Sequence, residues 1–125
     1  MNITGFHHVS VNTNGTDVQE IDNFYRNILG LTHADRPEIP GISGSWFSVA
    51  DQQLHIVDSA PTGEAIDIVG NHFCFRVTDL DEVIAQFKRD GIPYVTDLQN
   101  ADTVQVWITD PAGNTIEFQQ DMGAT

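Results

Sequence analysis

The sequence predicts a single α+β domain built from two copies of one β-α-β-β-β module. A length of 125 residues suits one domain of ordinary size. Two short alternating strands, HVSVNT from residue 8 and HFCFRVT from residue 72, are each followed by an amphipathic helix. Three further strand-like segments follow each helix. We place module one at about residues 1–58, a linker at about 59–70 and module two at about 71–125.

The first helix is expected over residues 17–29. Thr16 is a candidate N-cap with Gln19 three positions later, and Gly30 supplies a C-terminal stop. Apolar residues recur at helical spacing, and they are Val18, Ile21, Phe24, Tyr25, Ile28 and Leu29. The strands that follow are expected in GLTHAD, GSWFSVA and QQLHIVD.

The second helix is expected over residues 80–89, with Thr78 or Asp79 as the N-cap and Gly91 as the stop. Its apolar residues are Leu80, Val83, Ile84 and Phe87. The strands that follow are expected in IPYVTDL, TVQVWIT and NTIEFQQ, with a turn in DPAGN. Each module is too small to bury a good core alone, so we expect one structural unit.

The composition excludes several classes of function. Five basic residues stand against 18 acidic ones, which gives a formal charge of −13 and disfavours binding to nucleic acid or to an anionic membrane surface. Apolar runs stay short of the roughly 20 residues that span a bilayer. The first residues lack the features of a signal peptide, and a single cysteine, Cys74, allows no intrachain disulfide. A cytoplasmic location is therefore expected.

Alternation along four strands places four metal-competent side chains on one face of the sheet, namely His8, His55, His72 and Glu117. The interval from His8 to His55 (47 residues) nearly equals that from His72 to Glu117 (45 residues), so the four positions are equivalent in the two modules. Three imidazoles and a carboxylate suit a divalent ion such as Zn, Ni, Co, Mn or Fe(II). His7 falls on the opposite, apolar face, where packing is expected.

Five segments carry a family resemblance, and they are HHVSVNT, FYRNILGL, WFSVADQQLHIV, NHFCFRVTDLDEV and DPAGNTIEF. They extend over nearly the whole chain, which resembles the vicinal oxygen chelate superfamily. That superfamily includes glyoxalase I, methylmalonyl-CoA epimerase, fosfomycin-resistance transferases, extradiol dioxygenases and bleomycin-binding proteins. The resemblance implies a half-open mixed sheet, formed by the paired modules around one divalent metal.

The family's usual ligand positions fall on His8, His55, His72 and Glu117. Glyoxalase I and the epimerase use four protein ligands. The transferases and dioxygenases use three, which match His8, His72 and Glu117 and leave His55 as a neighbouring acid or base.

The resemblance implies a glyoxalase-like lyase or isomerase that stabilises the enediolate of a small substrate with vicinal oxygens. His55 or Glu117 would be the catalytic base. One alternative is an Fe(II) dioxygenase of the extradiol type. Another is a metal-free resistance protein of the bleomycin-binding type, for which the acidic composition is suitable.

Arg76, Asn12 and Trp46 are the candidate substrate contacts. Arg76 shares the site face and pairs either with a substrate anion or with a surface acid. Asn12 stands four residues after the first ligand, where glutathione-binding relatives carry a basic residue. With so few cations, a small neutral or weakly acidic substrate suits the chain better than glutathione or a CoA ester.

Short chains of this family commonly form dimers. We therefore expect a homodimer whose clefts combine modules of two subunits, with His8 and His55 of one chain facing His72 and Glu117 of the other.

Overall fold

The computed structural model describes residues 1–100 and 103–120 and confirms the α+β fold class. Module one supplies β1 (Ile3–Asn12), α1 (Val18–Asn23), β2 (Thr32–His33), β3 (Gly44–Val49) and β4 (Gln52–Val57). Module two supplies β5 (His72–Val77), α2 (Leu80–Asp90), β6 (Val95–Asn100), β7 (Thr103–Thr109) and β8 (Thr115–Gln120). Within these described ranges, no helix is long and apolar enough to cross a membrane.

All eight strands form one mixed sheet in the order β2-β3-β4-β1-β5-β8-β7-β6. β1 runs parallel to β4, β5 runs parallel to β8, and the antiparallel pair of β1 and β5 lies at the centre. The first strands of the two modules thus join within one chain. The site strands β4, β1, β5 and β8 are consequently neighbours without a second subunit.

A bulge interrupts β1 at its first histidine. Phe6 pairs with Phe75 and His8 pairs with Cys74, so His7 is an extra residue opposite one step of β5. Nδ1 of His7 lies 2.7 Å from Nδ1 of His8. The prediction that the two rings face opposite sides was wrong, because strict alternation holds only for a regular strand.

The first helical segment is shorter and less regular than predicted. Its N-cap is Asp17 rather than Thr16, because the Asp17 carboxylate accepts from the backbone N–H of Gln19 at 2.9 Å. After α1, residues 24–28 form a π-helical turn, in which the N–H of Leu29 reaches the carbonyl of Phe24 at 3.0 Å. Of the predicted apolar face, Val18, Ile21 and Tyr25 are partly buried, whereas Phe24, Ile28 and Leu29 are exposed.

The second helix matches its prediction closely. Asp79 caps it by accepting from the backbone N–H of Glu82 at 3.2 Å, and Gly91 ends it with φ 66°. This helix covers β5, β7 and β8. The buried core there consists of Val77, Leu80, Val83, Phe87, Val106 and Phe118.

Candidate metal and substrate site

Three predicted ligands converge from the adjacent strands β1, β5 and β8. Nε2 of His8 lies 3.2 Å from Nε2 of His72. Oε1 of Glu117 lies 3.0 Å from Nε2 of His8 and 3.1 Å from Nε2 of His72. The three side chains are nearly excluded from solvent, with exposed fractions of 2%, 5% and 0%. We call this arrangement the ligand triangle.

The triangle has the dimensions of a metal site. Bonds from a divalent metal to nitrogen or oxygen are about 2.0–2.1 Å, so ligand atoms bound side by side are about 3.0–3.4 Å apart. All three edges of the triangle lie within that range. Two imidazoles and one carboxylate suit a borderline divalent ion and leave coordination positions for a substrate.

Each histidine of the triangle is oriented through its second nitrogen. Nδ1–H of His72 donates to the carbonyl of Gly70 at 2.9 Å, so Nε2 is the nitrogen that faces Glu117 and that could bind a metal after it loses its proton. Nδ1 of His8 shares a hydrogen bond with His7 instead. Gly70 is itself placed by Asp67, whose Oδ1 accepts from the backbone N–H of Gly70 at 2.9 Å.

Glu117 is held by two glutamines as well as by the histidines. Its Oε2 accepts from Nε2 of Gln105 at 3.0 Å and from Nε2 of Gln119 at 2.6 Å. Burial alone would raise the pKa of Glu117, but the hydrogen bonds with His72 and His8 hold the pKa well below its usual value. The carboxylate is therefore ionised, as a metal ligand must be.

Sequence reasoning missed both glutamines. The usable signal was alternation, which places Gln119 on the same face as Glu117 one step further along β8. Both glutamine side chains are buried, and a buried amide beside a candidate ligand is a reasonable partner for it.

His55 lies beside the triangle and not within it. Its ring is stacked between Trp46, at 3.8 Å between centroids, and His8, at 3.9 Å. Nε2 of His55 lies 2.8 Å from Oε1 of Gln53. Burial, and then the charge of His8, lower the pKa of His55, so the ring is neutral. In the described residues the compact ligand group contains His8, His72 and Glu117 without His55.

A second group of possible ligands consists of His7, His8 and Cys74. Cys74 is fully buried, and its burial, together with the charge of Glu117, raises the pKa of the thiol. A metal binds the thiolate, which this environment disfavours. The ligand triangle is therefore the stronger candidate.

A cavity of about 100 Å³ opens beside the triangle. His8, His72 and Glu117 lie on its wall together with His55. The apolar part of the wall comes from β3, β4, β7, the 34–43 loop and the linker, namely Ile39, Ile42, Trp46, Ile56, Val57, Ile68, Val69 and Trp107. A small organic molecule is of a suitable size for such a space.

Of the three predicted substrate contacts, Trp46 lines the cavity, whereas Arg76 and Asn12 do not. Arg76 Nη2 donates to the carbonyl of Asp51 at 3.0 Å, in the turn between β3 and β4. Asn12 Nδ2 donates to the carbonyl of Val69 at 2.8 Å and so ties β1 to the linker. Alternation identified the face on which Arg76 lies but not its distance along the strand from the site.

The predicted sharing of the site between subunits needs a correction. His8, His55, His72 and Glu117 all line one cavity of a single chain. The cause is the pairing of β1 with β5 in the same chain, which brings the two modules edge to edge. A homodimer stays a prediction.

Comparisons with known proteins agree with this architecture. A family model described as Glyoxalase/Bleomycin resistance protein/Dioxygenase superfamily matches residues 5–118. Glyoxylase I 4 of Arabidopsis thaliana is 30% identical over 126 aligned positions, which cover 94% of this chain and 71% of that protein.

Two solved structures are similar in fold. Methylmalonyl-CoA epimerase from Mycobacterium tuberculosis has a TM-score of 0.75 at 19% identity, covering 94% of this chain and 88% of that one. Hypothetical protein BH1468 from Bacillus halodurans C-125 has a TM-score of 0.76 at 14% identity, covering 96% of both chains.

Proposed function

The chain belongs to the Glyoxalase/Bleomycin resistance protein/Dioxygenase superfamily, and from that premise we propose that it is a divalent-metal-dependent enzyme. The proposed reaction is of the glyoxalase-like type, a lyase or isomerase step on a small substrate with two neighbouring oxygens. The buried ligand triangle is the observation that carries this proposal. It favours a metal enzyme over a metal-free binding protein.

The chain's own residues have separate tasks in this proposal. A divalent ion held by His8, His72 and Glu117 would act as a Lewis acid toward the vicinal oxygens of the substrate. Gln105 and Gln119 keep the Glu117 carboxylate oriented toward the two histidines. The apolar wall of the cavity excludes water, which strengthens the electrostatic interactions inside.

We assign proton transfer to His55. It lines the cavity, and its Nε2 contacts a neutral amide, that of Gln53, which can exchange partners. Glu117 is the other predicted base, but each of its oxygens already contacts two side chains. In this structure neither ring nitrogen of His55 joins the compact ligand group, so a fourth-ligand role would require the ring to move.

Metal analysis tests the proposal directly. Protein purified under a defined supply of Zn, Ni, Co, Mn or Fe should hold one ion per chain, and His72→Ala or Glu117→Gln should lower the affinity at least tenfold. His33→Ala is the matched control, because His33 is a histidine bonded to Asp22 and not to the triangle. Substoichiometric metal that neither triangle variant changes would contradict the proposal.

His55→Phe separates the two proposed roles of His55. If His55 is the base beside a three-ligand site, the variant keeps its metal stoichiometry and loses turnover. If His55 is a fourth ligand, the variant loses metal affinity to about the same extent as His72→Ala.

An extradiol-type dioxygenase is the second candidate function. Two histidines and one carboxylate with open positions are the ligand set of many non-haem Fe(II) oxygenases, and the triangle has this composition. Oxygen uptake by Fe(II)-loaded protein with a panel of catechols is the test. Uptake that is lost in Glu117→Gln would favour the dioxygenase, and no uptake with any catechol would reject it.

A further inference from the structure

Three buried hydrogen-bonding atoms of the cavity wall have no partner within residues 1–100 and 103–120. They are Oγ of Ser10, Nε of Arg36 and Nε1 of Trp107. A fourth such atom, Oδ1 of Asn12, belongs to a residue that does not line the cavity. Buried polar groups are normally hydrogen-bonded. Three of them around one cavity indicate a ligand that accepts hydrogen bonds.

Arg36 is the charged member of this set. Its Nη2 donates to the carbonyl of Ile42 at 2.7 Å, which fixes the guanidinium against the 34–43 loop. In the part of the chain that the structure describes, no carboxylate forms an ion pair with it. Burial lowers the pKa of Arg36, yet a guanidinium remains protonated at neutral pH. A partly desolvated cation without a counter-ion is costly, so an anion at this position would be stabilising.

We propose that Arg36 anchors the carboxylate of a small monocarboxylic acid in the cavity beside the ligand triangle. This inference rests on the proposed function and names its substrate class. Nε–H of Arg36 and Nε1–H of Trp107 are both donors, and the Ser10 hydroxyl donates or accepts, so an anion with accepting oxygens is the chemical class that these groups favour. The carbon body of the acid would contact Ile39 and Trp46.

An acid and its amide distinguish this proposal from simple apolar binding. The two molecules have nearly the same shape, but the amide has one accepting oxygen and an NH₂ group that would face the donors of Arg36 and Trp107. A site that hydrogen-bonds one group rejects an analogue that leaves its polar atoms unpaired. The acid should consequently bind much more tightly than the amide.

The experiment measures binding to the metal-stripped protein, so that a metal cannot hold the anion. Three pairs serve as probes, acetate with acetamide, isobutyrate with isobutyramide, and benzoate with benzamide. Chemical-shift titration should give at least a tenfold preference for the acid in one pair or more. Arg36→Gln should remove this preference, and Arg36→Lys should retain part of it, because the lysine keeps the charge.

Arg76→Gln is the matched control, because it also removes one arginine charge. Arg76 interacts with Asp51 outside the cavity, so this variant should keep the acid preference. The proposal is overturned if the wild-type protein prefers no acid in any pair, or if folded Arg36→Gln keeps the preference. The metal content of the same preparations is measured separately, so a failure of the metal proposal can be recognised independently.

Discussion

The two modules share one order of elements, but their helices cover the sheet very differently. In module two, α2 buries Leu80, Val83 and Phe87 to exposed fractions of 7%, 0% and 2%. In module one, Ile28 and Leu29 remain 67% and 54% exposed, although the sequence gives them helical spacing. In this chain the apolar residues of the regular helix α2 are buried, whereas those in the irregular continuation of α1 are not. The apolar surface of module one at Ile28 and Leu29 remains exposed in the single chain.

The same contrast holds for the two equivalent candidate metal ligands. His72, in module two, is oriented by a backbone carbonyl, that of Gly70. His8, in module one, is oriented by a side chain, that of His7, which the bulge in β1 brings into reach. Equivalent positions in a repeat thus have different supports, and single substitutions should affect them unequally.

The largest expected effect is on the free energy of unfolding, when an apolar side chain is truncated in each of the two helical segments. Phe87→Ala should lower the free energy of unfolding by about 3–5 kcal/mol, because it leaves a cavity in a closed core. Ile28→Ala in module one should change it by less than about 0.5 kcal/mol in the monomeric state, since the side chain is mostly exposed. Urea unfolding at low protein concentration measures both. Equal losses in the two variants would show that the first helix is packed as tightly as the second.

The next largest expected effect is on metal affinity, when His8 loses its hydrogen-bond partner His7. His7→Phe should weaken metal binding about 10–100-fold, because Nδ1 of His8 loses the partner that fixes its ring. Competition with a chelator measures the affinity, and His7→Gln should restore part of it through its side-chain amide. An unchanged affinity in His7→Phe would mean that the stack of His8 on His55 is enough to hold the ring.

Sequence periodicity predicted the ligand triangle because each ligand follows a rule that is local to one strand. Alternation placed His8, His72 and Glu117 on one face together with His55, and the repeat paired His8 with His72 and His55 with Glu117. The His7 bulge could not be predicted, because it depends on the register between β1 and β5.

Arg36 could not be predicted as a cavity residue for a similar reason. It stands in a loop rich in proline and glycine, and its approach to the cavity depends on the path of that loop. In the same way, local spacing predicted the first helix, but it did not reveal the π-helical turn at residues 24–28.

The exposed apolar surface of module one gives the predicted homodimer a specific contact surface that can be tested. If a second copy covers it, the double variant I28D/L29D should raise the dimer dissociation constant at least tenfold, because two charges would enter an apolar contact. Light scattering over a range of concentrations measures this. Each monomer should keep its metal, since one chain contains the whole triangle. A wild-type protein that is monomeric at all concentrations would contradict the dimer.

The smallest effect concerns the two helix caps, and it tests whether α1 contributes to stability at all. Asp79→Ala should cost about 1 kcal/mol, because its carboxylate accepts the Glu82 N–H at the start of an 11-residue helix that is packed on the core. Asp17→Ala removes a comparable hydrogen bond, but from a helix of only six residues whose continuation is exposed, so the cost should be at most a few tenths of a kcal/mol. Thermal unfolding of the two variants in parallel compares them. If Asp17→Ala were as costly as Asp79→Ala, α1 would have to be coupled to the core more strongly than its exposed continuation indicates.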